Sequence, residues 1–300
     1  MSRKENILII KHGALGDLIQ ADGIIKSIRY EHKNAKLVLL TSKKFNNLMS
    51  MCPYIDEQLI DNRSSFLNIF ALIKLYKSIK KYNFEIIFDL QNSQRTYIYR
   101  KYLFKKIKWV TTDRKDHPIS GLRGLEEMLT EYFVISKNIF KPDISWLATD
   151  VKNIIKKNKI LSKYIVLLPG SSKKNPLKRW PYFVDLAKLL ISNGYEVITI
   201  LGPEELEMSH SFPGHVLKNL NWFQLSGIIK NSNFVVGNDS GPSHIASCLN
   251  KKGLALFGSS TSAVRSELER GKFEILKVDN LENLSAASVL KASIKILSKK

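Results

Sequence analysis

Short aliphatic runs alternate with amphipathic stretches from one end of the chain to the other. Eight runs read as strands: NILII, KLVLLT, EQLI, FEIIFDL, YIVLLPG, YEVITILG, FVVGN and GLALFG. They are short, rich in β-branched and aliphatic side chains, and show no polar alternation. That pattern predicts strands buried on both faces of a parallel sheet. Between them, apolar positions recur at helical spacing in DLIQADGIIKSIRYEH, FLNIFALIKLYKSIKKY and WPYFVDLAKLLISNG. The last of these closes on Gly194, a residue suited to the left-handed turn that ends a helix. Strand alternating with helix predicts a doubly wound α/β fold.

The pattern then restarts. NILIIKHGALGD, from residue 6, and KYIVLLPGSSKK, from residue 163, are both strands running into glycine-containing loops. The stretch WLATDVKNIIKKNKILSK before the restart is polar, basic and free of aromatics after Trp146. A boundary near residue 160 follows, with two Rossmann-like domains expected at 1–160 and 161–300. The final segment, NLSAASVLKASIKILSKK, has apolar residues at helical spacing and a lysine-rich end that suits the helix dipole.

Composition narrows the class. A hydrophobic content of 44% with 25% charged residues over 300 positions excludes a disordered chain. Against 27 acidic residues stand 47 basic ones, a net charge of +20. Such an excess points to a polyanionic partner, nucleic acid or an anionic membrane surface, or to lysine-rich codon usage. Cys52 and Cys248 are too few for a disulfide framework, which suggests a reducing compartment. The start, MSRKENILII, lacks the apolar core of a signal peptide, and no window approaches a spanning helix. The expectation is a cytosolic protein that meets a membrane only at its surface.

Candidate chemistry sits at strand ends, where doubly wound sheets bind ligands. HGALGD (12–17) follows the first strand. Its Gly13 and Gly16 permit a tight turn, and Asp17 reads either as an N-cap, with Gln20 completing a capping box, or as a catalytic carboxylate. The loop is neither a dinucleotide fingerprint nor a P-loop. VVGNDSGPSHIAS (235–247) gathers Asp239, Ser240, Gly241 and His244 at a helix start, with Pro242 in its first turn, the pattern of an anion site. LLPGSSKKNPLKRWP (167–181) offers Ser171, Ser172, Lys178 and Arg179, a set suited to a diphosphate. ILGPEELE places Glu204 and Glu205 at the next strand end, either for ribose hydroxyls or as ordinary first-turn acids.

Four segments in order, GALGD, DLQNSQR (89–95), KRWP (178–181) and NDSGPSHIAS (238–247), resemble the bacterial heptosyltransferases, the family-nine glycosyltransferases. The resemblance implies a GT-B fold: two facing Rossmann-like domains with the active site between them. It implies that the C-terminal domain binds a nucleotide sugar, commonly ADP-heptose, and the N-terminal domain a lipopolysaccharide core acceptor. It further implies inversion at the anomeric carbon without a metal or other cofactor, and a last helix, 283–299, crossing back to the first domain. Carried over, Asp17 matches the general base, and Ser171, Ser172 and Lys178 match the donor-phosphate residues. Asp239, Ser240, Gly241 and His244 match the loop that closes on phosphate and sugar. A glutamate of GPEELE matches the ribose ligand, with register favouring Glu205. The chain departs from the pattern at His12 and in the extra lysine and asparagine of GSSKKNPLKRWP.

A lipopolysaccharide acceptor is acidic, and residues 74–108 hold ten Lys or Arg against Glu85 and Asp89. That asymmetry fits an acidic glycolipid at an anionic inner-membrane surface, with Arg63, Arg95 and Arg100 as candidate acceptor contacts. IYRKYLFKKIKW (98–109) interleaves aromatics with cations, as either a solvated helix face or a membrane interface would. Two alternatives stand beside this reading. One keeps the family and chemistry but changes the nucleotide sugar or acceptor. The other is a non-catalytic RNA-binding Rossmann protein, which leaves DSGPSH unexplained; no nucleic-acid partner is expected.

Overall fold

The computed structural model describes residues 5–111, 122–133, 140–161, 163–171, 175–260 and 266–299. All eight predicted strands form: β1 Asn6–Ile10, β2 Lys36–Thr41, β3 Glu57–Ile60, β4 Ile86–Asp89, β6 Tyr164–Leu168, β7 Glu196–Leu201, β9 Phe234–Asn238 and β10 Gly253–Phe257. Three more appear: β5 Lys108–Val110, β8 His215–Lys218 and β11 Phe273–Lys277. Each of the three lies at a sheet edge, in the orders β3-β2-β1-β4-β5 and β11-β10-β9-β6-β7-β8. An edge strand packs fewer neighbours and needs less of the continuous apolar run by which the others are read. Pairing is parallel throughout both sheets.

The chain divides into two compact units, Met1–Trp146 and Leu147–Lys300. The division precedes the expected boundary near residue 160. Residues 147–160 look like a linker by polarity, yet Val151 and Ile160 are buried and the Thr149 N–H donates to the Phe223 carbonyl. Within each unit the central strands form the core. Ile7, Leu8 and Ile9 of β1 and Val235 and Val236 of β9 are fully buried, each such side chain contributing about 1.5–3 kcal/mol.

In the first unit, helices α1 (Leu15–Gln20), α2 (Asp22–Glu31), α3 (Asn46–Met49), α4 (Ile69–Lys80), α5 (Gln94–Ile98) and α6 (Leu122–Phe133) accompany the sheet. The single helix expected over 17–32 is two helices, α1 and α2, that meet at Ala21, and Asp22 opens the second. Its buried carboxylate accepts from the Asp143 N–H at 2.7 Å and the Trp146 indole at 3.0 Å. Burial pushes the Asp22 pKa up to about 7, against those two bonds.

The second unit carries α7 (Lys152–Lys157), α8 (Phe183–Ser192), α9 (Trp222–Asn231), α10 (Gly241–Cys248) and α11 (Ala286–Ser298). The contacts that bury α11 are made within the second unit, on α8 and β10, through Val289 and Ile296. Both sheets reverse strand order at one point, β1/β4 and β6/β9, and Asp17, Arg95, Ser171 and Asp239 follow the carboxyl ends of those strands.

Candidate active site

β1 hands over to Lys11, His12 and Gly13 before α1 begins. Gly13 has φ +117°, and a Cβ there would lie 2.3 Å from the Phe45 ring, so glycine is required. Ala14 is the N-cap, in an extended conformation, which makes Asp17 the third helical residue and not the cap. Asp17 Oδ2 accepts from the Ala14 N–H at 3.1 Å. This is half of a capping box, because alanine has no oxygen with which to return the bond. Gln20 therefore ends α1 instead of occupying its third position, and Gly16 lies buried inside the helix rather than in the loop. The Asp17 carboxylate is thus steadied by its own helix and still exposed.

Behind it sits buried charge. The Lys11 ammonium donates to the Leu90 carbonyl at 2.9 Å. Burial lowers the Lys11 pKa, and the charges of Asp17 and Asp89 oppose that shift. Asp89 ends β4 and accepts from the Gln91 and Asn92 N–H groups, both at 3.0 Å. Its pKa is raised by burial against those bonds.

A second buried acid, Asp61 at the end of β3, escaped the sequence reading; the only signal was a lone acid directly after EQLI. Arg95 grips it through Nε to Oδ2 at 2.9 Å and Nη2 to Oδ1 at 3.1 Å. The Tyr99 hydroxyl donates to Oδ2 at 2.6 Å and the Arg63 N–H to Oδ1 at 2.7 Å. His12 Nε2 is 3.0 Å from Oδ2 but off the hydrogen-bond line, a polar contact rather than a directed bond. Burial pushes the Asp61 carboxyl up, and His12, Arg95, Tyr99 and the Arg63 N–H more than offset this, holding it well below the carboxylate range. Arg95 also donates to the Ser64 carbonyl. Its guanidinium is therefore largely committed inside the protein, whereas the Arg63 side chain is exposed and Arg100 lies 5.7 Å over the Tyr97 ring.

In the second unit, Trp180 organises the edge. Its backbone N–H donates to Asn238 Oδ1 at 3.1 Å, and its indole donates to the Leu284 carbonyl at 2.8 Å. Asn238 Nδ2 in turn donates to the Pro169 carbonyl at 2.7 Å, so one buried amide ties the β6 and β9 ends together. With Trp180 pinned, Lys178 and Arg179 are delivered to the same edge. Lys178 Nζ is 2.7 Å from Asp239 Oδ2, and His244 Nε2 is 4.0 Å from Asp239 Oδ1. Ser240 is the N-cap of α10, and Ser243 Oγ donates to the Asn238 carbonyl at 2.6 Å, fixing the helix start beside β9.

Arg179 bridges two other predicted residues. Its Nη2 donates to the Ser171 carbonyl and to Glu205 Oε1, both at 2.8 Å, and its Nε donates to Ser171 Oγ at 3.2 Å. Glu205 is buried, while the Glu204 side chain is 41% exposed and 3.5 Å from Arg179. A Cβ on Gly170 or Gly202 would come within 2.9 Å and 2.8 Å of the Glu205 carboxylate, so both glycines admit it. Glu205 and Arg179 border a cavity of about 240 Å³ whose remaining wall is apolar, including Pro169, Val184, Met208 and Phe212. Ser172 lies outside the described residues. Ser171, Lys178, Glu205, Asp239, Ser240, Gly241 and His244 all gather at this one edge.

Residues 126–281 match the model of glycosyltransferase family 9 (heptosyltransferase). Lipopolysaccharide heptosyltransferase 1 of Campylobacter coli is 24% identical over 295 residues, covering 85% of this chain and 84% of that protein. A glycosyl transferase family 9 structure from Veillonella parvula superposes with a TM-score of 0.83 at 18% identity, over 98% of this chain and 97% of that one. The E. coli heptosyltransferase WaaC with ADP gives a TM-score of 0.76 at 16% identity, over 97% and 99%. The shared architecture is α/β of the GT-B type.

Proposed function

Because this chain belongs to glycosyltransferase family 9, we propose that it transfers a heptose from ADP-heptose to an acidic lipopolysaccharide core sugar, with inversion and without a metal. The observation that carries this reading is the gathering of Lys178, Arg179, Ser171, Glu205 and the start of α10 at one sheet edge. Support for the donor comes from the similar fold of the E. coli heptosyltransferase WaaC, solved with ADP and with ADP-2-deoxy-2-fluoro heptose.

The acceptor hydroxyl attacks the anomeric carbon while the bond to the diphosphate oxygen breaks, and the hydroxyl proton passes to Asp17. The transition state is oxocarbenium-like, with negative charge growing on the departing diphosphate. Lys178, Ser171, Ser172 and the N–H groups at Gly241 oppose that charge, with Asp239, Ser240 and His244 completing the loop. Fixed donors of this kind are worth ~3–4 kcal/mol each when removed. Glu205 takes the ribose hydroxyls, and the apolar cavity beside it takes the base. Proton removal comes late in such a step, so the placement of Asp17 matters more than its basicity. Arg63, whose side chain is exposed, and Arg100 contact the acidic acceptor, while Arg95, held by Asp61, only shapes that surface. The enzyme works at the cytoplasmic face of the inner membrane.

Thermal-shift screening with ADP, GDP and UDP tests the donor, since a ligand at 100 times its Kd adds ~2.7 kcal/mol of stability. Stabilisation by ADP, followed by mass-spectrometric detection of a heptosylated core that persists in EDTA, is the expected result. Stabilisation by UDP alone would redirect the reading to another nucleotide sugar, and a response to none would remove the donor site.

A further inference from the structure

The first two turns of α4 and the residues before them expose large apolar side chains: Leu67 is 90% exposed, Phe70 87%, Ile69 64% and Ile73 44%. The helix is not loose. Leu75 and Ile79 on its opposite face are buried in the first unit's core, and Tyr76 stacks on Phe104 at 5.4 Å. Phe66 lies under the Arg95 guanidinium at 4.9 Å. A rigid scaffold therefore holds these apolar groups in water, where contiguous exposed apolar surface marks an interaction site. The last turns of the same helix present Lys74, Lys77, Lys80 and Lys81, all exposed. Beside α4, Tyr99 and Phe104 join the same core, and the segment around them exposes Tyr97, Tyr102 and Lys101.

No acidic residue occurs at 62–84 or at 90–112. Protein partners disfavour lysine at an interface core, and nucleic acid, whose bases stack on aromatic rings, offers nothing to the exposed aliphatic Leu67, Ile69 and Ile73. A headgroup layer satisfies both parts at once, with acyl chains for the apolar tip and phosphates for the lysines. Among the described residues no helix is long and apolar enough to cross a membrane, so the contact is superficial. We propose that Leu67, Ile69, Phe70 and Ile73, with the lysines of the last two turns of α4, form the face that docks the protein on an anionic lipid bilayer. The inference rests on the membrane attachment in the reading above and places it on α4.

Flotation of the full chain with phosphatidylglycerol–phosphatidylethanolamine vesicles, against phosphatidylcholine vesicles, tests it. The native protein floats with the anionic vesicles. L67N/F70N loses over tenfold in partition, because the apolar anchor is gone. K74Q/K77Q loses about fivefold per lysine on anionic vesicles and is unchanged on phosphatidylcholine. Both variants alter exposed positions, and circular dichroism melts confirm that they fold. Transfer to a deacylated, water-soluble core acceptor is retained in L67N/F70N, a readout that separates docking from the transferase reading. Unchanged vesicle partition in L67N/F70N overturns the proposal. So does loss of transfer to the soluble acceptor, which makes the face an acceptor site, or a native dimer that F70N dissociates, which makes it a self-association surface.

Discussion

At the carboxyl edge of the first sheet, Asp61 and Asp89 are buried and satisfied, one by a guanidinium and a phenol, the other by backbone N–H groups. The corresponding edge of the second sheet holds Lys178 and Arg179, whose side chains stay 19% and 30% exposed while paired with Asp239 and Glu205. Both edges are rich in charge, but they dispose of it differently. Charges locked inside the first edge cannot be offered to a ligand without breaking the cluster, whereas Asp17 keeps its carboxylate exposed. Cations at the second edge are poised by acids yet reachable, and an incoming diphosphate can take over their bonds with little reorganisation.

The largest expected effect tests Asp17 as the one working group of the first edge. Asp17→Ala lowers kcat ~100- to 10,000-fold and leaves ADP affinity, measured calorimetrically, unchanged. Retained turnover would return Asp17 to a purely structural role. Arg95→Met tests the locked cluster: leaving Asp61 buried without its cation costs ~3–5 kcal/mol in urea unfolding. Adding Asp61→Asn recovers part of that loss, and a strictly additive double mutant would mean that the two do not form a unit. At the second edge, Lys178→Ala slows transfer ~100- to 1,000-fold and weakens ADP as well, with Lys178→Arg recovering part of both. A kcat-only defect there would erase the contrast between the edges.

The remaining effect touches stability alone, as a pH dependence. The Asp22 pKa stands at about 7 in the folded chain against ~4 unfolded, so the native state holds the proton more tightly. Its stabilisation is complete below pH ~4 and is lost as pH rises through about 7. Relative to Asp22→Asn, the native protein should lose roughly 3–4 kcal/mol across that window. Urea melts at the two ends, read by circular dichroism, measure it, and parallel curves would show that the buried acid carries no linkage.

Local pattern alone determined the α/β class, the eight inner and early strands, the restart into a second Rossmann-like unit, and the loops worth inspecting. It did so because aliphatic runs, helical spacing and strand-end glycines are properties of adjacent residues. Tertiary structure alone decided β5, β8 and β11, the break at Ala21, the N-cap at Ala14 and the division at residues 146 and 147. It also chose Glu205 over Glu204 as the carboxylate admitted by Gly170 and Gly202, and it drew Arg95 away onto Asp61, which is 34 positions earlier in the chain. These outcomes depend on which charge finds which partner across the sheet, and burial energies settle that only once distant strands lie side by side.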